Sequence, residues 1–90
     1  MNTFSAMETP EVITTLDVRE VAHAQRHPLI FKTYGQLQPG QAFVLVVDHD
    51  PKPVLYELDF IQHGIFKWIY LEQGPEVWRV QFEKTRQKEA

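Results

Sequence analysis

The chain has 90 residues, which is enough for one domain at most, and 43% of them are hydrophobic and 12% aromatic. This composition is typical of a folded protein, because intrinsic disorder requires far fewer aromatic residues and a stronger charge imbalance. The formal net charge of −3 argues against nucleic-acid binding, which usually needs a clustered basic surface, and it disfavours adsorption to anionic lipid.

The chain contains no cysteine. This excludes disulfides, thiolate metal sites, iron–sulfur clusters and a cysteine nucleophile. No stretch approaches the ~18 consecutive apolar residues of a membrane span, and the N-terminus lacks a basic segment followed by an apolar one. We therefore expect a cytoplasmic protein that contacts no membrane.

The first half of the chain predicts a strand, a helix and a second strand. Residues 12–18 are rich in β-branched side chains, which suit a strand. Pro28 suits the first position of a helix, because its missing N–H would be unpaired there anyway. The spacing of apolar residues then predicts a helix over 28–37 with His27 as its cap. The nearly unbroken apolar run 42–47 indicates a central, buried strand.

The second half predicts one more helix and a hairpin. Segment 48–53 is the densest polar and proline-rich part of the chain and suits the entry into a helix over 53–62. Residues 65–71 and 76–82 alternate in polarity, and the glycine and proline within 73–75 supply a turn between them.

The resulting β-α-β-α-β-β order predicts an α/β protein of the α+β sandwich type, with a four-stranded mixed sheet and both helices on one face. We place the domain at residues 12–83, between a flexible N-terminal arm (1–11) and a flexible polar tail (84–90). In a parallel crossover unit the turn after each strand emerges at the same edge of the sheet. His27 and segment 48–50 should therefore converge there, beside both helix N-termini.

Four segments of the chain resemble recurring features of a bacterial family, domain of unknown function 2249. They read LDVR at 16–19, HPLIF at 27–31, DHDPKP at 48–53 and EQGPEVW at 72–78. The element order and the Pro-led helix also resemble the TusA/SirA-like sulfur carriers. In those proteins a Cys-Pro pair stands where this chain has His27-Pro28, so persulfide carriage is not expected here.

The resemblance implies a TusA/SirA-like fold and an accessory role rather than an enzymatic one. It also implies a link to nitrogen-oxide or redox metabolism, with hemerythrin-like or other redox proteins as partners.

Histidines flanked by carboxylates form the candidate metal or ligand site. Its residues are His27, Asp48, His49 and Asp50. Imidazole nitrogens with one or two carboxylate oxygens suit a divalent transition metal such as zinc or iron. His23 would share a helix face with His27 only if the helix began earlier, which Pro28 disfavours. The alternative is that the histidines and aspartates only cap helices and shape turns.

The same edge is also a candidate anion site. Arg19, Arg26 and Lys52 are its candidate donors, together with the two helix N-termini. The chain has no glycine-rich phosphate loop, so a nucleotide is not expected. No serine or threonine lies beside a histidine, so nucleophilic catalysis is not expected either.

The hairpin aromatics Trp68, Tyr70 and Trp78 either pair across the strands or contact a partner protein. Two hypotheses of different classes follow. The first is an accessory module that binds a metal ion or small anion at the His27/His49 edge. The second is an interaction domain that docks a partner through its sheet face in the manner of a sulfur-relay protein, but without persulfide chemistry.

Overall fold

A computed structural model describes residues 9–85 of the chain, and it confirms the predicted α+β sandwich. The elements are β1 (Glu11–Asp17), α1 (His23–Gly35), β2 (Gln41–Val47), α2 (Lys52–Ile61), β3 (Phe66–Gln73) and β4 (Trp78–Lys84). Most of the predicted arm and tail lies outside the described residues. Neither helix is long and apolar enough to cross a lipid bilayer in this part of the chain.

The four strands form one mixed sheet in the order β1-β2-β4-β3. β1 runs parallel to β2, whereas β4 is antiparallel to both of its neighbours. The register places Leu16 and Val80 on either side of Leu45. Because side chains alternate between the faces of a strand, this row marks the face of the sheet that meets the helices.

Both helices pack on that face and share a single apolar core. Phe43 and Phe82 are fully buried with their ring centroids 4.8 Å apart, and Phe66 lies 5.4 Å from Phe82. The helices contribute the buried side chains Ile30, Tyr34, Val54, Leu55 and Leu58. Each set recurs at three- or four-residue spacing, so each helix presents one apolar stripe to the sheet.

The predicted start of α1 at Pro28, with His27 as cap, was wrong. The helix begins at His23, and its cap residue Ala22 makes no side-chain capping bond. Its first turn is closed by the N–H of Gln25, which donates to the carbonyl of Ala22 at 2.8 Å. Pro28 therefore lies in the second turn, where its missing N–H costs the helix one backbone hydrogen bond.

The side chain of Arg26 supplies the compensating interactions. It is only 8% exposed, and it donates to the carbonyls of Val21 at 2.8 Å and Arg19 at 3.2 Å. These bonds hold the connection from β1 against the first turn of α1. Together with the tertiary contact of Arg26 with Asp48 after β2, they outweigh the local preference, and the helix extends to the N-terminal side of its proline.

The outer face of the sheet, opposite the helices, is not covered by any element within residues 9–85. Ile69 on β3 and Ile13 on β1 are 53% and 41% exposed there. Both edge strands also have an irregular register, which leaves Ile13 and Leu71 without a regular partner. Such bulges disturb the ladder of an edge strand and limit its pairing with other chains.

Two tyrosines on the helix side of the sheet differ in how their hydroxyls are satisfied. Tyr34 is buried, and its hydroxyl has no hydrogen-bond partner among the described residues, so burial raises its pKa to about 12. The Tyr70 hydroxyl donates to Oδ1 of Asp50 at 2.6 Å. Desolvation and this bond also raise the pKa of Tyr70 to about 12.

The same substitution at these two tyrosines should change stability in opposite directions. Tyr34→Phe removes an unpaired buried hydroxyl, and we expect it to stabilise the protein by about 1 kcal/mol. Tyr70→Phe removes a donor from Asp50, and we expect it to destabilise by about 1 kcal/mol. Urea unfolding of both variants measures the difference, and a change of the same sign in both would contradict the assignment.

Candidate functional site

Three histidines line one small cavity at the edge of the sheet where β1 and β2 end. His23, His27 and His49 surround a volume of about 150 Å³. The rest of the lining is mainly apolar and consists of Val18, Arg26, Ile30, Leu45, Val47, Pro51, Pro53 and Val54. The cavity therefore has an apolar floor and a polar rim, as small-ligand sites usually do.

The topology explains why these histidines meet. β1 and β2 are parallel, so the first turn of α1 and the loop after β2 lie at the same edge. His23 and His27 are one turn apart on α1, and the ring of His49 stacks on that of His23 with centroids 5.9 Å apart. The structure thus brings His27 and His49 to one edge, as expected, and adds His23.

In two of the three histidines, one ring nitrogen contacts a carboxylate oxygen. His27 Nε2 lies 2.8 Å from Oε1 of Glu57 on α2, and His49 Nδ1 lies 2.8 Å from Oδ1 of Asp48. These contacts orient the rings. Because a carboxylate only accepts, the ring nitrogen that faces it carries the proton. The second nitrogen is then an acceptor in the neutral ring and a donor when the ring is protonated.

Asp48 is held by Arg26 rather than by the cavity. The guanidinium of Arg26 donates from Nη1 to Oδ1 at 3.0 Å and from Nη2 to Oδ2 at 3.4 Å. These bonds, and then the one from His49, lower the pKa of Asp48 far below its usual range. Asp48 is therefore a carboxylate at any physiological pH. The N–H groups of Arg26 donate to Asp48 and to two backbone carbonyls.

The other predicted anion-binding cations are also paired. Nη2 of Arg19 lies 2.7 Å from Oδ2 of Asp17, and the hydrogen bonds from Arg19 lower the pKa of the Asp17 carboxyl to about 2. Lys52 Nζ lies 3.9 Å from Asp50, which also accepts the backbone N–H of Lys52 and the hydroxyl of Tyr70. Arg19 and Lys52 do not line the cavity, whereas Arg26 does.

The predicted metal ligands do not assemble into a ligand set. Among residues 9–85, no three His, Asp or Glu side chains come together in a way that could hold a metal ion. Of the predicted four, His27 contacts Glu57, Asp48 contacts Arg26, and Asp50 lies outside the cavity lining.

The hairpin aromatics nominated for partner contact lie on the helix side of the sheet. Trp68 stacks on Phe66 at 5.3 Å, and Tyr70 meets Trp78 edge-on at 6.2 Å. All three nominated side chains are partly buried against the core. The more exposed apolar side chain of β3 is Ile69, on the outer face.

Two residues of the site were missed by sequence reasoning. The four-residue spacing of His23 and His27 was a signal, since it places two side chains on one helix face. It was set aside because of Pro28. Nothing in the sequence indicated Glu57, because its contact with His27 joins two helices.

Replacing Asp48 by Asn should lower the free energy of unfolding at neutral pH. It should also make that free energy depend less on pH in the acid range. The folded-state pKa of Asp48 lies below the unfolded value of about 3.9, so the carboxylate stabilises the fold above that pH. Its contribution is lost as the pH falls through the folded-state pKa. In urea unfolding, the difference in free energy of unfolding between the wild type and Asp48→Asn should therefore become smaller below about pH 4.

The control for this prediction is a double-mutant cycle with Arg26→Met. The single Arg26 variant should lose roughly 1.5–3 kcal/mol, because hydrogen bonds from a charged donor disappear. Adding Asp48→Asn should then cost little more. A gap that stays constant across the acid range, or fully additive losses, would show that the two side chains are not coupled.

The comparison with known proteins yields one match. The model of an uncharacterised conserved protein family, DUF2249, matches residues 15–84. No curated protein and no solved structure matches the chain. The matched range contains all three cavity histidines together with Arg26, Asp48 and Glu57. Because the match spans most of the chain, this protein belongs to the DUF2249 family.

Proposed function

We propose that this domain is an accessory binding module that takes a small anion in the histidine cavity. The observation that carries the proposal is the composition of the lining, which contains three histidines but no carboxylate. Arg26 also lines the cavity, but its N–H groups donate to Asp48 and to two backbone carbonyls. Imidazole N–H groups and a protonated imidazolium are good donors to an anion. The apolar floor limits competition from water, and the volume of about 150 Å³ limits the ligand to a few heavy atoms.

The ionic contacts around the cavity support an anion over a cation. The charge of Asp48 is matched by that of Arg26, and Glu57 contacts His27 without lining the cavity. A cation would find no carboxylate in the lining to match its charge. An anion would meet ring N–H groups, which donate most strongly from a protonated imidazole.

The physiological setting of the proposal comes from the family resemblance. A link to nitrogen-oxide or redox metabolism makes nitrite the first anion to test. A bacterial source and a cytoplasmic location, expected from the sequence, belong to the same proposal. So does a protein partner such as a hemerythrin-like domain, to which this module would supply ligand binding rather than catalysis.

Titration of the histidine ring resonances with nitrite, nitrate, acetate and phosphate tests the proposal. The signals of His23, His27 and His49 should shift with at least one anion, because their rings line the cavity. His49→Ala should weaken binding about tenfold or more, because a charged hydrogen bond is lost.

His63, the fourth histidine, provides the matched control. It lies beyond α2 and does not line the cavity, so His63→Ala should leave the affinity unchanged. Zinc or ferrous iron should be titrated in parallel. Saturable metal binding through His27 and His49 with no response to any anion would overturn the proposal in favour of a metal site.

Docking through the outer face of the sheet is the second candidate function, because Ile69 and Leu71 are about half exposed there. A purified hemerythrin-like domain should then shift the backbone amide signals of β3. Ile69→Asp should abolish those shifts while leaving the shifts caused by anions intact. Partner-induced shifts confined to the histidine cavity would rule out docking through this face.

A further inference from the structure

Helix α2 has an apolar side that the fold does not use. Its inner stripe of Val54, Leu55 and Leu58 is buried in the core. On the opposite side Tyr56 is 59% exposed and Phe60, one turn further along, is 85% exposed. Folding within one chain leaves these two rings in water, and an exposed aromatic surface of this kind usually marks a contact with another molecule.

An open cleft lies beside this projecting ring, at the end of the sheet opposite the histidine cavity. The cleft has a volume of about 500 Å³, and its lining consists of Pro39, Ile61, Gln62, His63, Ile65, Lys84 and Thr85. His63 also borders the surface formed by Tyr56, Asp59 and Phe60. The ring and the cleft are therefore neighbours on one surface of the molecule.

We infer that two copies of this chain associate about a two-fold axis, with Phe60 of each copy inserted into the cleft of the other. A two-fold interface uses the same patch on both subunits, so a projection and a recess side by side on one patch can fill each other reciprocally. The cleft walls formed by Pro39, Ile61 and Ile65 are apolar and suit an aromatic ring.

The charges on the patch fit a second copy of the same chain. Asp59 lies beside the projecting ring, and Lys84 lines the cleft, where its ammonium donates to the carbonyl of Leu37 at 3.2 Å. Reciprocal insertion brings Asp59 of each copy towards Lys84 of the other, so opposite charges meet twice.

This interface is independent of the proposed anion site. The cleft and the surface around Phe60 have no lining residue in common with the histidine cavity. Either inference can therefore fail while the other stands.

Sedimentation equilibrium of the full chain tests the dimer directly. The wild type should show a reversible monomer–dimer equilibrium, and Phe60→Asp should weaken it by at least about 30-fold, as expected for an interface hot spot. Ile69→Asp, at a comparably apolar exposed site on the outer face, should leave the equilibrium unchanged. A wild type that stays monomeric at every concentration, or equal effects of the two variants, overturns the inference.

Cysteine cross-linking tests the reciprocal geometry. The chain has no cysteine of its own, so only the introduced cysteines can form disulfides. Under mild oxidation, a mixture of Phe60→Cys and Ile65→Cys chains should form a disulfide heterodimer, because one side chain enters the cleft that the other lines. A mixture of Ile69→Cys and Ile65→Cys chains is the control. Equal yields from the two mixtures would show that Phe60 does not enter the cleft. Circular dichroism of each variant confirms that it is folded.

Discussion

The ion pair of Arg26 with Asp48 is the interaction on which the candidate site depends. It joins the first turn of α1 to the end of β2, and the same guanidinium holds the connection after β1 through the carbonyls of Val21 and Arg19. A nearly buried arginine is stable only when its donors are paired, so this network fixes three segments at once. The position of every cavity histidine follows from it, because two belong to α1 and the third is the neighbour of Asp48.

The same ion pair accounts for the carboxylate nearest to the cavity. Asp48 contacts the ring of His49, but it does not line the cavity itself. Both carboxylate oxygens of Asp48 accept from Arg26, and Oδ1 also contacts His49, so the negative charge of Asp48 is matched outside the lining. The lining itself holds three histidines over an apolar floor. The interaction that closes the fold at this edge thus also underlies the proposal of an anion in this cavity.

The element order, the mixed sheet and the position of His27 and His49 at one edge could be predicted because each follows from a local pattern or a general rule of chain topology. The start of α1 could not, since Pro28 is a local signal and the contacts of Arg26 that outweigh it are tertiary. The sequence also could not show which aromatic side chains are exposed. α2 is apolar on both sides, so periodicity alone could not tell that Phe60 projects while Trp68 packs against the core.

The position of His27 also bears on the resemblance to sulfur carriers. That resemblance rested in part on a proline at the start of the first helix, with the reactive residue just before it. A thiol there would gain from the unpaired N–H groups and partial positive charge of a helix N-terminus. In this chain the helix starts at His23, so His27 lies in the second turn and turns its ring nitrogen towards Glu57. His27 is therefore not a simple replacement for a terminal thiol, and the chemistry of this edge is better understood from the histidine cavity itself.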